Sequence, residues 1–409
     1  MKLPYLFALK KLCLALWLPL LSLSPLWAQL PALQLKGQVI YTLGAKAQPE
    51  AYLWIRIAGD TLGQARLADM KGRYQLIQAT KVVHEVAAED FKLAALFAGY
   101  RDDGLVVKWQ LPRFDTPATL FVAIKDEKTG LQTAISVPVQ YGRLRFRDTV
   151  FVADAKGLPL LRAFVRADEP FQLKGSKEAL WVRYFKHSFA QAAPPMDLKG
   201  EKTSPTLQPD STFQVRGESL LRWQKEGLYL IQKDTNDLYG GIGLRVEKPP
   251  FPQIARRKEE AIAPLVYIST SKEVEQLQAA QELKPALDRY WLKMFNGDTQ
   301  KAAAAIRLYY RQLKEVNMMF TSYKEGWKTD QGMIYLIFGP PHQISAGQDI
   351  EQWAYTNKNN FSKITFTFKR QNNPFTDQHY VLVRYLEYEP IWYTAIEQWR
   401  YGYVLKELQ

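Results

Sequence analysis

The sequence is poor in the residues that build most metal and nucleophilic sites. Its 409 residues include four histidines and one cysteine. That cysteine, Cys13, lies in an apolar segment near the amino terminus. If the segment is removed, the rest of the chain has no thiol for a disulfide, a nucleophile or a metal site. We therefore predict no cofactor and no metal, and the composition favours binding over catalysis without deciding between them.

Long apolar runs are also missing after residue 28. Before it, Lys2, Lys10 and Lys11 precede an apolar stretch over residues 12–26, which is the pattern of a signal peptide. The stretch is shorter than the roughly 20 apolar residues of a membrane-spanning helix. We predict a signal peptide over residues 1–28 and an exported protein, either periplasmic or associated with the outer membrane or cell surface. No transmembrane segment is predicted after its removal, and peripheral membrane association stays open.

The positive charge is spread along the chain. There are 54 Lys and Arg residues against 41 Asp and Glu, and a nucleic-acid-binding protein usually concentrates such an excess in one patch. Nucleic acid is therefore not an expected partner, whereas an envelope protein or an anionic polysaccharide is. Arg143, Arg145 and Arg147 alternate with apolar residues. This favours a half-buried strand with a solvated basic face, and the alternative is an anion-binding strip at a domain junction.

Short apolar runs separated by turns dominate the first 248 residues. They predict two tandem all-β sandwich domains of immunoglobulin-like type, over residues 29–143 and 144–248. Residues 191–210, rich in Pro, Lys and Thr, are predicted to form a long exposed loop. The predicted strands include Ala51–Ala58, Arg73–Ile77, Phe91–Ala98, Leu105–Leu111, Thr119–Asp126, Asp148–Ala153, Ala179–Phe185, Ser211–Val215, Leu228–Asp234 and Gly241–Glu247.

A proline-rich linker over residues 249–269 is predicted to precede a different kind of domain. Thr270 and Glu273 have the spacing of a capping box, so a helix begins there, with a kink or fresh start at Pro285. A second helix should begin at Asp298 or Thr299. Residues 270–409 are thus predicted to be a helical pair and an α+β domain, closed by a helix on one face of an antiparallel sheet.

Residues 326–330 read Gly-Trp-Lys-Thr-Asp. They resemble the signature of the GWxTD-domain proteins, a family of exported proteins common in Bacteroidota. The resemblance continues through the apolar run Met333–Phe338, which we predict to be a strand, and through Glu351–Tyr355. It implies an architecture and an exported location but no reaction. Gln331 stands where an arginine is usual in the family, so we do not assign a role to that position.

The motif is best explained as a structural joint between helix and sheet. Gly326 should adopt a backbone conformation closed to other residues, and Trp327 should pin the loop onto the sheet. Thr329 and Asp330 can cap backbone N–H groups before the strand. The alternative is a binding cleft, and catalysis is less favoured because a lone aspartate lacks a second tuned acid–base group. The candidate binding residues are Trp327, Thr329, Asp330, His342, Trp353, Tyr355, Arg143, Arg145 and Arg147.

The function predicted from these features is that of an exported, non-enzymatic binding or scaffold protein of the bacterial cell envelope. The sequence lacks a serine nucleophile elbow, a zinc-binding helix and a phosphate-binding loop. It does not identify the partner. The alternative is a carboxylate-dependent hydrolase of envelope glycans or peptides, because Asp and Glu are plentiful. Two carboxylates about 5–10 Å apart in one pocket would favour that alternative.

Overall fold

A computed structural model describes most of the chain. It covers residues 33–402 and 404, except for residues 42–47, 58–59, 79–80, 113–115, 141–143, 200–206, 238, 254–257, 348 and 357–362. The predicted signal peptide and Arg143 therefore lie outside the described residues.

The N-terminal unit consists of two four-stranded antiparallel sheets that enclose one core. The sheet orders are β1-β2-β6-β5 and β4-β3-β7-β8. Inward-facing side chains from both sheets, such as Ile55 and Leu120, are fully buried in a shared cluster. The strands are β1 (Leu33–Tyr41), β2 (Pro49–Ile57), β3 (Met70–Gln78), β4 (Lys81–Val86), β5 (Phe97–Arg101), β6 (Gly104–Gln110), β7 (Ala118–Asp126) and β8 (Gln132–Val139).

Most strands predicted in this unit are confirmed, and one is wrong. Strands β7 and β8 form a hairpin, and its turn ends at Gly130, which has a φ of 72°. The predicted strand Phe91–Ala98 is instead a turn of 3₁₀ helix over Leu93–Leu96 followed by β5. Its unbroken apolar composition does not distinguish a buried turn from a strand.

The middle unit also has two sheets around one core. A five-stranded sheet in the order β10-β16-β15-β12-β13 faces a three-stranded sheet in the order β14-β11-β9. All pairings are antiparallel except that of β10 with β16. The elements are α1 (Phe146–Thr149), β9 (Phe151–Asp154), β10 (Phe164–Arg166), β11 (Phe171–Lys174), β12 (Ala179–Phe185), β13 (Ser211–Arg216), β14 (Leu220–Leu221), β15 (Gly227–Gln232) and β16 (Ile242–Glu247).

Two predictions in this unit are corrected by the structure. The strand expected around Arg145 and Arg147 is the one-turn helix α1, in which the Asp148 carboxylate accepts the Arg145 backbone N–H at 2.7 Å. The loop predicted to be exposed over residues 191–210 is partly buried. Ala192 is 2% exposed and packs into the core of the following unit.

The C-terminal unit packs helices on a four-stranded antiparallel sheet in the order β17-β18-β19-β20. One large core joins the helices to the sheet, and its members include Trp291, Leu313 and Phe366. The elements are α2 (Lys258–Ile262), α3 (Ser271–Ala279), α4 (Leu283–Met294), α5 (Thr299–Phe320), α6 (Asp330–Phe338), β17 (Gln343–Ala346), β18 (Ile350–Thr356), β19 (Lys363–Arg370), β20 (Tyr380–Leu382) and α7 (Tyr388–Arg400).

The predicted helix boundaries in this unit are largely confirmed. Thr270 and Glu273 form the capping box at the start of α3, and the Asp298 carboxylate accepts the Lys301 N–H at the start of α5. Pro285 lies in the first turn of α4, which is a fresh start rather than a kink.

The segment Met333–Phe338, predicted to be a strand, is helical. It forms most of α6, whose apolar side chains are buried on all sides. Thr329 caps its N-terminus, and Gly339 ends it with a φ of 74°. Gly339 and Pro340 therefore follow the end of a helix.

The predicted order of β-sheet regions followed by a C-terminal α+β region is confirmed. In the described part of the chain, no helix is both long and apolar enough to cross a membrane.

Candidate functional site

Trp327 is enclosed by helices rather than by the sheet. It lies in a short 3₁₀ turn, Gly326–Lys328, and is 4% exposed. Its ring packs against Tyr267 with 6.1 Å between centroids, and the Tyr267 hydroxyl donates to the Trp327 carbonyl at 3.1 Å. The Trp327 N–H donates to Asn317 Oδ1 at 3.2 Å. Trp327 therefore anchors the motif to α5, contrary to the predicted contact with the sheet.

The glycines of the motif are required for space. A Cβ on Gly326 would lie 2.2 Å from the Val316 carbonyl oxygen, and one on Gly332 would lie 1.8 Å from the Gly326 carbonyl oxygen. The φ of Gly326 is not in the left-handed region. We predicted that Gly326 is needed for an unusual backbone conformation, and this is wrong. Gly326 is needed because any side chain at this position would collide with the backbone of α5.

Thr329 uses both its hydrogen-bonding functions locally. Its Oγ1 accepts the Gly332 N–H at 3.0 Å and donates to the Gly326 carbonyl at 2.7 Å. This closes the motif on itself and fixes the first turn of α6. The predicted capping role of Thr329 is confirmed, although the element that it caps is a helix.

Asp330 forms a buried ion pair that the sequence did not reveal. Its side chain is 1% exposed and that of Arg384 is 5% exposed, with 2.5 Å between Asp330 Oδ1 and Arg384 Nη2. Asp330 Oδ2 also accepts the Leu382 N–H at 2.8 Å. Arg384 in turn donates to the Ala193 carbonyl at 3.1 Å. Asp330 therefore connects α6, β20 and the middle unit. Arg384 interrupts the largely apolar run over residues 380–388. A charged residue in such a run was the one sequence feature that could have suggested a buried ion-pair partner.

The other predicted site residues of this unit do not gather around Asp330. Trp353 and Tyr355 are buried in the sheet, and the Tyr355 hydroxyl donates to the Gly339 carbonyl at 2.9 Å. His342 is exposed, and its Nδ1 accepts the Thr356 N–H at 2.9 Å. His342 and Trp353 line a cavity. The described lining of that cavity does not include Trp327, Thr329 or Asp330.

The two described arginines of the basic segment are paired with carboxylates. Arg145 binds Asp148 and Asp377, with 2.8 and 2.9 Å from its Nη2 to their oxygens. Arg147 Nη1 lies 2.9 Å from Asp377 Oδ1, and only 8% of its side chain is exposed. The predicted solvated basic face is therefore wrong for these two residues, which join the middle unit to the C-terminal unit.

A cavity of about 660 Å³ lies where the three units meet. The N-terminal unit contributes β1 and β8, which are edge strands of their sheets. The middle unit contributes side chains within residues 145–152, 161–163 and 241–244. The C-terminal unit contributes side chains within residues 319–322, 331–344, 351–353 and 375–380. Because these segments are far apart in the sequence, no local pattern predicts the cavity.

The cavity contains two ionisable groups in unusual surroundings. Lys36 Nζ donates to the Met318 carbonyl at 2.7 Å, and burial, reinforced by the Arg162 charge, lowers the pKa of Lys36 to about 7. Burial raises the pKa of Glu351. Neither residue was a candidate from the sequence, although Glu351 begins the segment Glu351–Tyr355 that carries part of the family resemblance. The described residues contain no group of three or more His, Cys, Asp or Glu side chains suited to a metal.

Comparisons with known proteins identify one part of the chain. No curated protein matches it. A solved structure titled "Biofilm associated protein - BSP domain" is 11% identical over 53% of this chain, with a TM-score of 0.18, so this likeness supports no inference. The match spans 52% of that solved chain, about half its length. The GWxTD domain model matches residues 227–401, which include the motif, α6 and the C-terminal sheet. The chain therefore contains a GWxTD domain over residues 227–401.

Proposed function

We propose that this protein is an exported, non-enzymatic binding or scaffold protein of the bacterial cell envelope. Its ligand site would be the cavity between the three units, and the GWxTD motif would hold the C-terminal unit in shape. The partner would be an envelope protein or an anionic polysaccharide, and the location periplasmic or on the outer membrane or cell surface.

One observation carries this proposal: the hydrogen-bonding groups of the motif are used by the fold, whereas the cavity is open to a ligand. Thr329 and Asp330 are occupied by Gly326, Gly332, Leu382 and Arg384. The cavity has a volume of about 660 Å³, within the roughly 300–1,000 Å³ of typical ligand pockets. Its wall combines apolar side chains with a few polar groups, as in most binding sites.

We also propose how the mature chain is divided. Two immunoglobulin-like sandwich domains would occupy residues 29–143 and 144–248, followed by a linker over 249–269 and the α+β domain over 270–409. The paired sheets of the first two units support this division. Sandwich modules of this type commonly serve as binding and spacer elements on cell surfaces.

A test compares partner capture by two tryptophan variants. Ala134 lies on β8 and lines the cavity, while Ala123 is its cross-strand neighbour on β7 and does not belong to the cavity wall. Directly opposed residues share a face of the sheet. The purified full-length protein is crosslinked to native envelope, and bound molecules are identified by mass spectrometry. We expect Ala134→Trp to lose a partner that the wild type and Ala123→Trp both retain.

Retention of every partner by a folded Ala134→Trp variant would contradict the cavity as the binding site. The melting temperature of each variant shows whether it is folded. The same measurement on Trp327→Ala and Asp330→Ala separates the motif's roles, because loss of a partner at an unchanged melting temperature would make the motif a site.

One observation favours the alternative, a carboxylate-dependent hydrolase. Asp148 and Asp377 both line the cavity, and each has an oxygen within 2.9 Å of the same Arg145 nitrogen. Two such carboxylates are the minimum for glycoside hydrolysis. However, Arg145 pairs with both carboxylates, whereas a glycosidase needs one carboxylic acid that can give its proton to the leaving group. A product released from purified cell-wall glycan or peptide by the wild type, but not by Asp377→Asn, would overturn the binding proposal.

A further inference from the structure

Glu351 is a carboxylate on the cavity wall with neutral partners. It lies in β18, and its Oε1 accepts hydrogen bonds from Gln331 Nε2 at 3.1 Å and from Trp353 Nε1 at 2.5 Å. Its Oε2 accepts none from the residues that the structure describes. Within the same residues, no Lys, Arg or His forms an ion pair with Glu351.

The other carboxylates of the cavity are in a different situation. Asp148 and Asp377 are both paired with Arg145, and Asp377 is paired with Arg147 as well. These two aspartates, one buried and one half-buried, have the charge compensation that a carboxylate away from water needs. Glu351 has only an amide and an indole as donors, and burial raises its pKa because the charged form lacks a counter-charge. A ligand that brings a positive charge would supply what the fold omits.

Three aromatic rings of the cavity wall pack against one another, and one of them, Trp353, donates to Glu351. Phe320, Tyr335 and Trp353 all line the cavity beside Glu351. Their ring centroids are 5.4 Å apart for Phe320 and Tyr335, 5.6 Å for Phe320 and Trp353, and 6.3 Å for Tyr335 and Trp353. Aromatic rings attract ammonium groups through their electron-rich faces. A carboxylate beside three rings is therefore suited to an organic cation and poorly suited to a metal ion, which needs several oxygen ligands.

We propose that Glu351 anchors a subsite for a primary ammonium group, of the kind carried by a lysyl or other diamino acid side chain of an envelope peptide. This inference rests on the proposed function, because it names the chemistry of a ligand in the same cavity. The ammonium would donate to Glu351 Oε2, and its alkyl chain would contact the wall formed by Phe320, Tyr335 and Trp353.

The test uses n-butylammonium chloride as the probe and n-butanol as the uncharged control. The indole N–H resonance of Trp353 in a nitrogen-15 correlation spectrum reports on the site, because that group donates to Glu351. Trp353→Phe assigns the resonance. We expect a saturable shift with butylammonium and none with butanol. Equal shifts with both probes, or no shift with either, would overturn the proposal.

Two variants test the carboxylate from opposite directions. Glu351→Gln removes the charge and keeps an acceptor for the indole, while Gln331→Arg places a tethered cation beside Glu351. Both should weaken butylammonium binding at least tenfold, and Gln331→Arg should also raise the melting temperature, since an ion pair forms within the fold. The matched control is Glu282→Gln, whose exposed carboxylate is outside the cavity and should leave binding unchanged. Unaltered binding by folded Glu351→Gln protein would contradict the proposal.

Failure of the ammonium subsite can be distinguished from failure of the proposed function. If Ala134→Trp loses its partner but wild-type protein ignores butylammonium, the cavity binds and only the ammonium subsite is wrong. If butylammonium binds through Glu351 but Ala134→Trp retains every partner, the subsite exists and the cavity is not the site of the envelope partner.

Discussion

Asp330 and Arg384 are buried together, and removing either would leave the other charge uncompensated. Removing one partner lowers the free energy of unfolding by more than the ion pair contributes to it, because an isolated buried charge costs several kcal/mol. Thr329 is likewise fixed by the Gly326 carbonyl of the 3₁₀ turn, and the Trp327 N–H is fixed by the Asn317 side chain of α5. At the scale of single residues, the motif is therefore a set of side chains whose partners belong to the fold.

The glycine of the motif provides the first prediction. Gly326→Ala places a Cβ 2.2 Å from the Val316 carbonyl oxygen, and such overpacking typically destabilises by about 1–3 kcal/mol. Gly63→Ala is the matched control, because no atom lies within 4 Å of its Cβ and its φ of −85° suits alanine. Urea unfolding should show a lower midpoint for Gly326→Ala only. Equal midpoints for the two variants would show that α5 does not need the contact.

At the scale of elements, the sequence predicted some segments well and others poorly. Ala179–Phe185 is a short run rich in apolar and aromatic residues and is strand β12, as predicted. Met333–Phe338 has an unbroken apolar run, which is compatible with a buried helix or a buried strand. The helix forms because Thr329 caps it and Gly339 can end it. Those signals were present in the sequence, but the apolar run was given more weight.

The pairing between α3 and α7 gives a pH-dependent prediction. Arg400 donates to both Glu273 oxygens, at 2.8 and 3.0 Å, and this pairing lowers the pKa of Glu273 to about 2. A lowered pKa in the folded state means that the stabilisation is present above the unfolded value of 4.5 and is lost as the pH falls towards 2.

Glu273→Gln should therefore melt below the wild type at pH 6, and the difference should shrink as the pH falls below about 4.5. Glu275→Gln, on the exposed face of the same helix, should show no such pH-dependent difference. Melting temperatures measured from pH 6 to pH 3 provide the check. A constant difference for Glu273→Gln across that range would argue against the ion pair.

At the scale of the whole molecule, the three units are joined by buried polar contacts. Arg56 of β2 and Gln34 of β1 both bind Glu315 of α5. Gly243 of β16 donates to the Phe375 carbonyl at 2.8 Å, and Arg101 binds Asp154 at 2.6 Å. These contacts hold the walls of the cavity. They join residues separated by tens to hundreds of positions, so the charge pattern of the sequence could not predict them.

The junction between the N-terminal and C-terminal units can be tested through Glu315. Glu315→Ala leaves the Arg56 guanidinium buried without a counter-charge, although Gln34 still accepts from it, at a cost of about 3–5 kcal/mol. Calorimetry should then show the N-terminal unit unfolding separately at a lower temperature. The double variant Arg56→Met with Glu315→Leu should restore one transition, since apolar groups of similar size can replace a buried pair. An unchanged thermogram for Glu315→Ala would mean that the units are not coupled there.

The urea unfolding curve of Asp330→Asn tests the central claim most directly. If the GWxTD motif holds the C-terminal unit in shape, loss of the buried charge opposite Arg384 should lower the unfolding free energy by about 3–5 kcal/mol. Partner capture by the folded protein should persist in dilute buffer. A wild-type unfolding curve together with lost partner capture would contradict the account and make the motif itself the binding site.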